Sequence, residues 1–125
     1  MSRSILILVK HDHSRSELAE LLRGNDAFGP VHEAASLKAA ELIVAETLPA
    51  LIVIDSSFQP AAAWPDICRE LRRISAASKL VVVHSDVPAE QARQELPYVM
   101  HCGKTVHPRD LVGQLVQALG EPESS

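Results

Sequence analysis

Leu51-Ile52-Val53-Ile54-Asp55-Ser56-Ser57-Phe58-Gln59-Pro60 is the stretch whose reading decides the fold. Four apolar residues, mostly β-branched, lead into one carboxylate and then into a polar turn closed by proline. A run this apolar suits a strand buried on both faces, as in the middle of a parallel sheet with helices on either side. Asp55 then stands at the carboxyl end of that strand. Open α/β sheets bind ligands along this edge, because the loops there diverge and leave a crevice. Asp is also a common turn starter, so the other strand ends have to decide between the two uses.

Upstream, Ser4 to Val9 is a second near-continuous apolar run, ending in Lys10-His11-Asp12-His13. Ser14 and Glu17 have capping-box spacing, which predicts a helix with Leu18, Leu21 and Leu22 on its apolar face and Gly24 at its end. Val31 to Ala35 reads as a short strand suited to a sheet edge. Ser36 opens a second helix, with Ala39, Ala40, Leu42 and Ile43 expected to face the sheet and Lys38, Glu41 and Glu46 to stay wet. Pro49 closes it.

Downstream, Trp64-Pro65 sets another helix start, since proline is tolerated in the first turn. Ile67, Leu71 and Ile74 recur at helical spacing, and Arg69, Arg72 and Arg73 lie mostly off that face, as a solvated surface or a docking patch. Lys79 to Val83 reads as the fourth strand, running into His84-Ser85-Asp86. Pro88 to Leu96 reads as a short polar helix and Pro97 to His101 as a fifth strand before Cys102-Gly103-Lys104. Pro108 begins the last helix, with Leu111, Leu115, Val116 and Leu119 inward and Gly120 with Pro122 stopping it.

Five strands alternating with five helices predict an α/β, flavodoxin-like (βα)5 fold: a doubly wound, parallel, five-stranded sheet of strand order 2-1-3-4-5. The 125 residues suit one core, so 1–120 is expected to be one domain and 121–125 a tail or the start of a linker.

Composition narrows the function. Twelve Lys and Arg against sixteen Asp and Glu give a net charge of −4. There is no basic block, which argues against direct nucleic-acid binding. The apolar runs are far shorter than the ~20 residues of a membrane span, and no signal peptide is read at the start, so a cytoplasmic protein is expected. Cys68 and Cys102 are too far apart for a zinc or thioredoxin motif and are expected as free thiols, Cys68 packed on the apolar side of its helix. Among the six histidines, His11, His13, His84 and His101 invite a metal site, but ligand identity without geometry is weak evidence. No nucleophile elbow, phosphate-binding glycine loop or dinucleotide fingerprint is present, so catalysis on a metabolite has little support.

The polar residues left over converge. Lys10, His11, Asp12, Asp55, Ser85, Asp86 and Lys104 all fall at the carboxyl ends of strands one, three, four and five. A carboxylate, a hydroxyl and a lysine after strands three, four and five form a coherent set for phosphoryl chemistry. Cations and donors around the transferring oxygens lower the barrier for attack by a carboxylate.

On these residues, from about Ile5 to Leu119, the chain resembles the receiver domain of two-component response regulators, CheY-like in fold. The resemblance implies Asp55 as phosphoacceptor, Ser85 as the hydroxyl that senses the phosphoryl oxygens, and Lys104 as the lysine that pairs with them. It implies Mg²⁺ as cofactor where the domain is phosphorylatable and no cofactor otherwise. The implied chemistry is at most self-phosphorylation and dephosphorylation at Asp55. The implied partners are a signalling protein or a histidine kinase, with a homodimer among the family's habits.

The departures from the family pattern are as informative. Receivers hold Mg²⁺ with an acidic pair directly after strand one, and here those positions read Lys10-His11. Asp12 comes one place late and, with Asp55, is the remaining candidate ligand. A hard cation wants oxygen ligands, so this replacement weakens the site; Lys10 offers its own charge there, as a partner for Asp55. Asp86 replaces a small residue, Thr105 replaces a proline and so removes an expected cis peptide, and Pro60 falls one place late. His101 stands at the aromatic switch position, as half-buried structure or as a group that titrates near neutrality. The interval from Ser85 to Lys104 is shortened, with Pro97 in it. The expected function is therefore an atypical, or pseudo-, receiver working as a protein-interaction module. A working phosphoacceptor and a small-molecule binder sharing only the fold are the alternatives.

Overall fold

Leu51–Asp55 forms β3, which pairs in parallel with β1 (Ile5–Leu8) on one side and β4 (Lys79–His84) on the other. β2 (Val31–Ala34) lies outside β1, and β5 (Met100–Gly103) outside β4. The sheet order is β2-β1-β3-β4-β5. The computed structural model describes residues 4–55, 64–84, 99–103 and 108–120. The expected helix from Pro88 to Leu96 lies outside them.

The strands that read as continuous apolar runs are the central ones. Every residue of β1, and Leu51 to Ile54 of β3, is buried. β2 buries only its two ends, leaving His32 and Glu33 half-buried, as suits its place at the edge. Alternation along each strand feeds two cores. Ile52 and Ile54 join Leu6, Leu8, Leu80 and Val82 on one face, while Leu51 and Val53 join Ile5, Ile7, Val81 and Val83 on the other.

Helices cover both faces. α2 (Leu37–Thr47) and α3 (Trp64–Ile74) bury Ala40, Val44, Ile67, Cys68 and Leu71 on the first. α1 (Asp12–Arg23) and α4 (Pro108–Gly120) bury Leu18, Ala19, Leu22, Val112, Leu115 and Ala118 on the second. At about 1.5–3 kcal/mol per fully buried aliphatic side chain, these two cores are the main source of stability.

The amino edge of the sheet is tied by polar contacts. Ala50 N–H donates to the Ser4 carbonyl (2.9 Å) and Lys79 N–H to the Ala50 carbonyl (3.0 Å). Buried Ser78 donates to the Pro49 carbonyl and shares a hydrogen bond of 2.7 Å with Ser75. Lys79 Nζ donates to the Ala118 and Leu119 carbonyls, both at 3.1 Å. It thereby satisfies carbonyls that the end of α4 leaves open.

Three expectations need correction. α1 begins at Asp12 with His11 as N-cap, and no side chain caps it; Asp12 in the first turn suits the helix dipole and outweighs the Ser14–Glu17 capping box. Leu42 does not face the sheet but is 67% exposed; α2 is apolar most of the way round, so composition alone could not orient it. β5 occupies Met100–Gly103 rather than Pro97 to His101, placing Cys102 and Gly103 inside the strand. In α4 the inward side is the expected one: Leu115 is fully buried, Leu111, Val116 and Leu119 pack against the same core, and Val112 and Ala118 are buried beside them.

Candidate functional site

At the carboxyl edge, β3 ends on Asp55, which is half-buried and in register with Val83 of β4. Leu8 is in register with Ile54, so one step further Val9 runs level with Asp55. On the other side β4 and β5 end together, His84 in register with Gly103. The sequence therefore leaves β4 into Ser85 and β5 into Lys104 from matched positions. Ser85, Asp86, Lys104 and Thr105 themselves lie outside the described residues, as do Pro60 and Pro97. His101 is in β5, in register with Val82.

The residues after β1 are described fully. Lys10 and His11 are both exposed, and among the described residues Lys10 forms no ion pair. The expected Lys10–Asp55 pair is thus not formed. His13 is exposed as well and lies 3.7 Å from Glu17. Asp12 is 86% exposed, with its carboxylate 2.5 Å from Arg15 Nη2.

Arg15 was not readable as a site residue, and it organises this corner. Its side chain is only 14% exposed. Nη1 donates to the Val9 carbonyl at 2.9 Å, and Nε lies 3.5 Å from Glu33 Oε1 on β2. Glu33 is shared with Arg23, whose Nη2 is 3.1 Å from Oε2 and also donates to the Val31 carbonyl at 3.1 Å. The planar guanidinium makes this sharing possible, since its fork offers several donors in fixed directions. The only local signal in the sequence was the Asp12–Arg15 spacing of three, visible once the helix is started at Asp12.

The described residues after β1 do not make a donor set that fits a hard divalent cation. Such an ion takes carboxylate and carbonyl oxygens. Here the three residues after β1, Val9, Lys10 and His11, bring an apolar side chain, an ammonium and an imidazole, and the carboxylate of Asp12 is neutralised by Arg15. Among the described residues no cluster of three His, Cys, Asp or Glu side chains is placed to hold a metal. Cys68, Arg69 and Arg73, also singled out, have structural surroundings. Burial pushes the Cys68 thiol up to about 12, so at neutral pH it is a packed, uncharged group. Arg69 pairs with Asp66 at 2.9 Å and Arg73 with Glu70 at 2.5 Å, as a solvated helix face does. The Arg73 hydrogen bond holds the Glu70 carboxyl below its ordinary range.

No protein-family model and no curated protein sequence matches the chain. Solved structures do. A two-component response regulator of the LuxR family from Aurantimonas sp. SI85-9A1 superposes with a TM-score of 0.81 at 19% identity, over 100% of this chain and 90% of that one. A CheY-like response regulator receiver domain protein from Methanospirillum hungatei JF-1 gives 0.74 at 16%, over 95% and 94%. The beryllofluoride-activated NtrC4 receiver domain dimer gives 0.77 at 16%, over 94% and 96%. The chain has the fold of response regulator receiver domains. Among the described residues no helix is long and apolar enough to cross a membrane.

Proposed function

We propose that this chain is a receiver-type signalling module whose metal-dependent phosphorylation pocket is impaired and which acts by binding a protein partner. One observation carries the reading. Where a receiver needs two carboxylates after β1, this chain has the buried Val9 and the exposed Lys10 and His11, and the carboxylate that follows, Asp12, is held by Arg15. Phosphoryl transfer to Asp55 would have to proceed without the cation that ordinarily neutralises the transferring oxygens. The same reading puts its action in the cytoplasm, beside a signalling protein or a histidine kinase.

A working phosphoacceptor is the second reading, and the position of Asp55 favours it. The carboxylate stands at the end of the central strand, beside β4, which leads into Ser85, and one strand away from β5, which pairs with β4 and leads into Lys104. In that case Asp55 accepts the phosphoryl group, Ser85 donates a hydrogen bond to it, and Lys104 supplies the positive charge.

Amide NMR of the chain with and without Mg²⁺ and beryllofluoride, a mimic of the aspartyl phosphate, separates the two. The expected result is an unchanged spectrum at concentrations that saturate an ordinary receiver. Saturable shifts at Asp55, Ser85 and Lys104 would establish the second reading and overturn the first.

A further inference from the structure

The outer face of α2 carries a pattern that the fold does not use. Ala40 and Val44 are buried on the sheet, and Glu41 lies toward the Glu70–Arg73 pair of α3. On the remaining side Lys38, Leu42, Ala45 and Glu46 are all exposed. Leu42 and Leu48, at 67% and 61%, are the exposed large hydrophobics of the described residues, and both belong to this helix or its cap. Lys38 and Glu46 have no ion-pair partner among the described residues.

Lys38, Leu42 and Glu46 stand at i, i+4 and i+8, one ridge along the helix surface. The ridge has a symmetry that a partner of a different kind would not require. Turned end for end about Leu42 it maps onto itself with its charges exchanged, Lys38 falling on the place of Glu46. Two antiparallel copies therefore set leucine against leucine, with a lysine facing a glutamate on either side. That is the self-complementarity of a two-fold interface, in which one patch serves both subunits. Ala45 beside the ridge is small enough to let two helices approach closely.

We propose that the outer face of α2 is a homodimer interface, in which a second copy of this chain docks antiparallel about Leu42 and Lys38 of each copy faces Glu46 of the other. The inference is independent of whether Asp55 accepts a phosphoryl group. One helix face is a small interface and its charge pairs lie at a wet rim, so association is weak, with a dissociation constant on the order of 100 µM.

Sedimentation equilibrium of the full chain from about 10 µM to about 1 mM, a range that brackets this constant, is the test. A reversible monomer–dimer equilibrium is expected at low salt. Lys38→Glu turns both attractive pairs repulsive and should weaken it by about tenfold, while Lys38→Glu combined with Glu46→Lys should bring it back to within about threefold. Leu42→Glu should remove it. Because all three side chains are exposed, the variants are expected to fold, which circular dichroism checks. A monomer at every concentration, a dimer indifferent to Leu42→Glu, or a double charge swap that fails to recover association would each overturn the proposal.

Discussion

Arg15 reaches from α1 to the carbonyl of Val9, the residue that continues β1 level with Asp55, and it leans on Glu33 of the neighbouring strand. Charge-assisted hydrogen bonds of a mostly buried guanidinium are worth about 1.5–3 kcal/mol, more than a neutral pair. The Asp12 contact is a surface ion pair and contributes about 0–1 kcal/mol. Arg15→Met should therefore cost about 1–3 kcal/mol in urea unfolding, and Asp12→Asn less than about 1 kcal/mol. Equal costs would mean that the helix-surface pair, and not the grip on β1 and β2, holds this corner. Cys68 makes a second prediction at this scale. Its folded thiol titrates near 12 against an ordinary 9.0, because burial disfavours the thiolate. A raised acid pKa means that the folded state keeps a proton the unfolded chain gives up. The contribution is present in full below pH 9 and is lost as pH rises from 9 toward 12. The stability difference between the native chain and Cys68→Ala should accordingly shrink across that window and stay flat between pH 6 and 8. A difference constant to pH 11 would contradict the burial argument.

α2 shows what a single element discloses and what it hides. Its start was legible in Ser36, whose Oγ accepts from Ala39 N–H at 3.2 Å. Ser36→Ala should cost about 1 kcal/mol, measured by chemical denaturation. Its orientation was not legible, because Leu37, Ala39, Ala40, Leu42, Ile43, Val44 and Ala45 leave no clear polar face. Tertiary packing chose Ala40 and Val44 for the core and left Leu42 outside. The end of α2 was only half legible. Pro49 announced that the helix stops, but not that the stop passes through Leu48 at φ 46°. A leucine in the left-handed region is strained, and glycine relieves that strain in the folded state while adding freedom to the unfolded chain. Leu48 is mostly exposed, so little packing is lost. Leu48→Gly should leave stability unchanged or raise it by up to about 1 kcal/mol, whereas a clear loss would mean that the leucine packs in solution against something the monomer lacks. The same contrast runs through the other elements. β3 was readable because its apolar run is continuous, and β1 likewise. The start of α1 was not, since a good capping box at Ser14 competes with a first-turn aspartate that Arg15 makes profitable only in three dimensions.

At the scale of the whole molecule, one sheet supports two cores that share no side chains. Ile52 and Ile54 belong to the α2–α3 face and Leu51 and Val53 to the α1–α4 face, yet they alternate along a single strand. No face can lose its packing without freeing backbone that the other face needs. The carboxylate site inherits this arrangement: Asp55 is positioned by the strand common to both cores, while Arg15 and Glu33 come from the α1 side alone. That explains why the place of Asp55 was visible in the sequence and the arginine network was not. The first depends on a local run, the second on a helix and an edge strand meeting. The coupling is testable with the chain's one tryptophan, Trp64, which is carried by α3. Leu115→Ala empties a fully buried position under α4, on the opposite face, and should cost about 2–5 kcal/mol. If the sheet couples the faces, tryptophan fluorescence, which follows α3, and far-ultraviolet circular dichroism, which follows all the helices, will give one coincident urea transition at a lowered midpoint. Leu71→Ala under α3 should behave in the same way. A Leu115→Ala chain that loses helical signal first and its tryptophan transition later would show that α1 and α4 melt from an intact remainder, and that the strand positioning Asp55 is held by one face alone.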